Sequence, residues 1–127
     1  MAKMQWKMAA SGWVLGALLM AAPAMADDVA PADLKEAEQI FAQRCSTCHG
    51  AAGKGDGAAS AALNPKPRDL SNAEWQKSVD DAHIEKIVVG GGPSVGKSPL
   101  MPPNPDLAGK PGVVKGLRKL VRGFGGQ

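Results

Sequence analysis

This sequence predicts an all-α fold, and three observations carry that expectation. Apolar residues recur at helical spacing in separate stretches, no stretch alternates apolar and polar residues as a half-buried strand does, and the joints are rich in glycine and proline. No internal repeat is visible, and the 127 residues leave room for one small domain once the N-terminal segment is set aside.

That segment reads as an export signal covering residues 1–26. Lys3 and Lys7 form a basic start, an apolar run extends from Gly12 to Ala22, and Ala24-Met25-Ala26 supplies a small-x-small cleavage pattern before Asp27. The run falls short of the roughly 20 apolar residues that span a bilayer, so no membrane anchor is expected after cleavage. The domain proper is then residues 27–127, with 13 basic against 12 acidic side chains, and this near balance argues against a nucleic-acid partner. Its aromatic residues are Phe41, Trp75 and Phe124, a thin supply for a core unless another group helps to fill it.

The first helix is expected from Asp33 to about Arg44, burying Leu34, Ala37, Ile40 and Phe41, with Asp33 and Glu36 as cap and N3 partner. A long surface loop follows, from Gly50 through Gly57 to Asn64-Pro65-Lys66-Pro67. Ser71-Asn-Ala-Glu74 has the form of a capping box and opens a short helix to about Ser78. Another helix starts after Asp80 or Asp81, buries Ile84, Ile87 and Val88, and ends at Gly90. No regular element is expected between Gly91 and Pro111. The last helix, Gly112 to about Phe124, gathers Val113, Val114, Leu117, Leu120, Val121 and Phe124 on one face and Lys115, Arg118, Lys119 and Arg122 on the other.

Both cysteines of the chain lie in Cys45-Ser-Thr-Cys48-His49. A thioredoxin-like dithiol requires a preceding strand, and here a helix precedes. A zinc site requires four ligands, and the only other histidine is His83. Cys-x-x-Cys-His is also the signature of covalent haem attachment, in which the thiols of Cys45 and Cys48 add to the two vinyl groups of one porphyrin and His49 becomes a neutral nitrogen ligand of the iron. Attachment of this kind takes place outside the cytoplasm, which agrees with the export signal.

The chain resembles the class I c-type cytochromes over nearly all of Asp33 to Phe124. The resemblance rests on Ile40-Phe41 ahead of Cys45-Ser-Thr-Cys48-His49-Gly50, on Gly53-Lys-Gly-Asp-Gly57, on Pro67-Arg-Asp-Leu70, and on Leu100-Met101-Pro102 ahead of a C-terminal helix. It implies three to four short helices around one covalently bound haem c, with the first and last helices crossing and a methionine from the late loop as sixth ligand. It also implies a proline carbonyl that orients the axial histidine and a leucine packed on the haem, for which Pro67 and Leu70 are the candidates, and propionate contacts, for which Arg68 and Trp75 are the candidates. Two positions depart from the family pattern. Ala37 stands where a glycine is frequent at the crossing and Leu120 where an aromatic is frequent, so Gly116 is the residue expected to let the helices approach.

Met101 can be reached without the resemblance. The other five methionines lie in the signal, and Met101 sits in Pro99-Leu-Met-Pro-Pro, whose fixed φ angles suit a loop that holds a thioether at a set distance from a metal. The alternatives are Met101 as a core gap-filler and His83 as sixth ligand. Gly91-Gly-Pro-Ser-Val-Gly96-Lys97-Ser98 matches the phosphate-loop pattern, but that loop binds phosphate only between a strand and a helix that begins at the lysine, and Pro99, Pro102 and Pro103 follow here.

With histidine and methionine both on the iron, no position is open to substrate, and the expectation is a periplasmic, monomeric electron carrier rather than an enzyme. An open sixth position would instead make a small haem enzyme or gas sensor, and the protein is also compatible with a haem subunit of a larger oxidoreductase. Its partners are expected to be transient redox proteins, acidic ones if the basic face of the last helix steers the encounter.

Overall fold

The computed structural model describes residues 28–126, so the expected signal, residues 1–26, lies outside the described residues. Those described are helical with loops between and contain no strand, as the sequence predicts. None of their helices is long and apolar enough to cross a membrane.

Helix α1, Pro31–Ile40, starts three residues earlier than the Asp33 cap implies. Proline at its first position already has the helical φ and no amide to satisfy, so no side-chain cap is made at Ala30. The Asp33 carboxylate is used elsewhere: it lies against Gly112 in the first turn of the last helix, where the positive end of the dipole favours an anion. Without interruption α1 runs into a π turn, Phe41–Cys45, closed by the Ser46 amide on the Phe41 carbonyl, and then into α2, Ser46–His49. The Ser46 hydroxyl donates to the Ala42 carbonyl at 2.7 Å.

Helix α3 is Ala73–Ser78, and its cap is Asn72, one residue past the expected Ser71. The Ser71 hydroxyl is occupied by the Asp69 carboxylate at 2.6 Å, while Asn72 Oδ1 accepts from the Trp75 amide at 2.8 Å. The Ser71 hydroxyl, together with the Ser71 amide that donates to the same carboxylate at 2.8 Å, holds the Asp69 carboxyl below the usual carboxylate range. Helix α4, Asp81–Gly90, is capped by Asp80 through the His83 amide, and it buries Ile84 with Val88 and Val89 packed beside it. Between Gly91 and Pro111 the chain makes two short 3-10 turns, Gly92–Val95 and Pro105–Gly109, tighter structure than the expected plain loop.

Helix α5, Pro111–Phe124, crosses α1 where Ala37 is fully buried against Gly116. A Cβ on Gly116 would stand 2.8 Å from the Ala37 Cβ and 3.2 Å from the Asp33 carbonyl oxygen, so the small residue on α5 supplies the close approach expected of it. Ile40, Phe41, Leu70, Ile84, Leu107, Val113, Val114, Leu117 and Val121 complete the core, and Phe41 meets Phe124 with ring centroids 5.2 Å apart. Leu120 is half-buried beside a depression of about 310 Å³ that Phe41, Ala42 and Phe124 also line, space that a larger side chain at this position would occupy.

The expected basic face of α5 is only partly solvent-facing. Arg118 is 7% exposed and pairs with Asp81 at 3.2 Å and Glu85 at 3.1 Å, clamping α5 onto α4. Arg122 pairs with Asp81 at 2.8 Å and donates to the Gln76 and Val79 carbonyls, which ties α5 to the C-terminal end of α3. Lys110, just before α5, pairs with Glu36. Desolvating two guanidinium groups is tolerated because carboxylates and carbonyls meet them. The periodicity places these residues opposite the main apolar stripe, but α4 covers part of that side as well.

Candidate functional site

Cys45 ends the π turn, Cys48 and His49 lie one turn on, and all three side chains are half-buried. A helix this short leaves its last carbonyls without partners, and the glycine loop supplies them. The Ala59 amide donates to Thr47 at 3.0 Å, Gly57 to Cys48 at 3.1 Å and Gly55 to His49 at 2.7 Å. The backbone approach is close enough that a Cβ on Gly57 would fall 2.3 Å from the Thr47 oxygen and 2.5 Å from that of Ser46. What the sequence offered as a surface loop is therefore the C-terminal cap of the cysteine-histidine helix.

His49 Nδ1 lies 3.0 Å from the Arg68 carbonyl oxygen. A carbonyl only accepts, so Nδ1 carries the proton and the Nε2 lone pair is left for a metal. Burial pulls the imidazole below its ordinary range, and the bond to Arg68 opposes this in part, so the ring is neutral near pH 7. The accepting carbonyl is that of Arg68 and not of Pro67, which corrects the expected role: the Pro67 carbonyl faces Gly55, where a Cβ would stand 2.6 Å away. The loop is pinned two residues beyond Arg68 by the Leu70 amide on the Gly53 carbonyl at 2.6 Å, and Leu70 itself is buried. The Arg68 side chain is exposed, and Trp75 packs half-buried against the core. Burial also pushes the Cys45 thiol up to about 11, the neighbouring Arg44 opposing it, so before it is attached this sulfur keeps its proton.

Met101 is half-buried on the loop after α4. Its carbonyl accepts from the Gly92 amide at 2.9 Å, and its own amide donates to Ser98 at 3.3 Å. Gly91, at φ +70°, and Gly92 are both buried against the backbone of residues 98–103. The phosphate-loop match is accounted for by this packing: Ile87-Val-Val belongs to α4 and not to a strand, Gly92–Val95 is a 3-10 turn, and no helix begins at Lys97. Past Met101, Asn104 donates from its amide to Val89 and from Nδ2 to Val88, both at 2.8 Å, closing the last turn of α4. Asn104 escaped sequence reasoning, although as the first residue with an amide after Pro102-Pro103 it is where such a loop can first be tied down. His83 lies in the first turn of α4, its backbone amide spent on the cap.

Two thiols one helical turn apart and a neutral imidazole with a free Nε2 fit the needs of a covalent haem, which takes two thioether bonds and a strong axial nitrogen. The zinc alternative finds no support, since no group of three or more His, Cys, Asp or Glu side chains gathers among the described residues. The family description Cytochrome c matches residues 34–111, more than half of the chain. The chain belongs to the cytochrome c family. Among curated proteins none matches it. As a cytochrome c it is a haem-binding electron-transfer protein, and its cofactor is covalently bound haem c with its iron. The match reaches only the first residue of α5, yet α5 supplies the partner surface for both α1 and α4.

Proposed function

We propose that this protein carries single electrons in the periplasm on one haem, attached through Cys45 and Cys48 with His49 and Met101 as axial ligands. The observation that carries this reading is the His49–Arg68 contact, which places the proton on Nδ1 and leaves the Nε2 lone pair for the iron. When bound, the haem iron takes up and releases the electron; the polypeptide supplies a neutral nitrogen, a thioether and a site whose shape is nearly the same in both oxidation states. The loop amides on Thr47, Cys48 and His49 keep the nitrogen in place, and the Gly92 bond does the same for the methionine backbone. A filled sixth position leaves electron transfer as the activity. Export through residues 1–26 with cleavage after Ala26, and a monomeric state, belong to the same reading. Steering toward an acidic redox partner then depends, on α5, on the exposed Lys115 and Lys119, because Arg118 and Arg122 are spent inside the fold.

The test is an optical one. The purified protein retains haem on a denaturing gel and loses it in Cys45→Ala/Cys48→Ala. The reduced parent does not bind carbon monoxide, and Met101→Ala does. Equal binding by the two proteins defeats the methionine assignment.

A further inference from the structure

Arg44 immediately precedes the first cysteine and has no part in attachment, yet its guanidinium reaches across the molecule. Nη1 donates to Asn104 Oδ1 at 3.3 Å and to both oxygens of Asp106 at 3.0 Å, contacts that join residues 60 and 62 positions apart in the chain. Asn104 is committed on both ends of its side chain: Nδ2 donates to the Val88 carbonyl, so Oδ1 is the atom left to face Arg44. Between Asn104 and Met101 stand Pro102 and Pro103, whose rings fix φ. With both φ angles fixed, the pair has fewer torsions with which to absorb a shift at Asn104 before it reaches Met101.

We infer that Arg44 is a positioning residue for Met101, a latch from the cysteine segment to the far end of the methionine loop. The inference rests on the reading of Met101 as sixth ligand. Without the latch the loop retains its Gly92 and α4 anchors but loses its tie to the cysteine segment. The methionine then leaves the iron more often, and an added ligand competes with it more successfully. Both partners are about half exposed, 42% and 50%, so the latch is weak and open to screening by salt. Lys110 also attracts Asp106 but is itself held by Glu36, and it lies on the α5 side of the loop.

Imidazole binding to the ferric, haem-loaded protein measures how often the position is free. Arg44→Gln is expected to bind imidazole about two- to fivefold more tightly than the parent at low salt, the range an exposed ion pair supplies. Asp106→Asn should match it, and the double variant should add nothing. Raising salt from about 20 mM to about 0.5 M should bring the parent toward the variant and leave the variant unmoved, because the field shortens to a few Å. A general loss of stability would not reproduce that convergence. If the parent shows the sulfur-to-iron charge-transfer band but Arg44→Gln binds imidazole as the parent does, or salt shifts both equally, the latch is overturned alone. If the parent lacks that band, the methionine reading falls and the latch with it.

Discussion

Gly92→Ala is the most informative single substitution, since it tests whether the glycine pair after α4 is the seat of the methionine loop. A Cβ at Gly92 would stand 1.9 Å from the Ser98 carbonyl oxygen, a backbone atom that has no rotamer to retreat into. A tolerable C···O contact is about 3.3 Å, so the two segments must separate by about 1.4 Å. The Gly92 to Met101 bond, now 2.9 Å, does not survive that movement. Overpacking costs about 1–3 kcal/mol and the lost bond about 1 more, a total of ~2–4 kcal/mol. A domain of this size holds ~5–10 kcal/mol, so the variant folds but melts ~10–25 °C lower. Two measurements check it: the ferric sulfur-to-iron band, expected to be lost or strongly diminished, and carbon monoxide binding to the reduced protein, expected to appear. Gly109→Ala is the control, because nothing lies within 4 Å of a Cβ there. A Gly92→Ala protein that keeps the band and melts with the parent would refute the steric reasoning.

Gly123→Ala should stabilise, because a Cβ there meets nothing within 4 Å near the end of α5 and the helix gains about 0.5–1 kcal/mol of propensity, read as a higher thermal midpoint. Arg118→Gln removes both ion pairs of a buried guanidinium; its carboxylate partners are partly exposed, so the cost is ~2–3 kcal/mol, below that of a fully buried pair, and denaturant unfolding should show it. Gly57→Ala drives a Cβ into the Thr47 and Ser46 carbonyl oxygens, so the cap on α2 opens, and limited proteolysis should cut within residues 50–60 faster than in the parent.

Much of this protein is legible along the chain because the chemistry is contiguous. Cys45, Cys48 and His49 lie within five residues, so their pattern specifies a haem-attachment motif before any packing is known, and the family match agrees with it. The apolar periods of α4 and α5 and the small residue at the α1 crossing are equally local signals, since a helix face is set by residues three and four apart. Caps are less secure because neighbouring side chains compete for the same amides: Asp69 captures Ser71 and leaves Asn72 as the cap, and Pro31 begins α1 without one. What only the tertiary structure decided are the contacts between distant segments. Arg68 rather than Pro67 offers its carbonyl to His49, because the glycine loop and Leu70 set the phase of the intervening chain. Arg118 and Arg122 turn inward because α4 brings Asp81 and Glu85 to a helix face that, taken alone, reads as solvated. Arg44 finds Asn104 and Asp106 about sixty residues away, a pairing that no period or spacing encodes, since it exists only once α1, α4 and α5 have closed on one another.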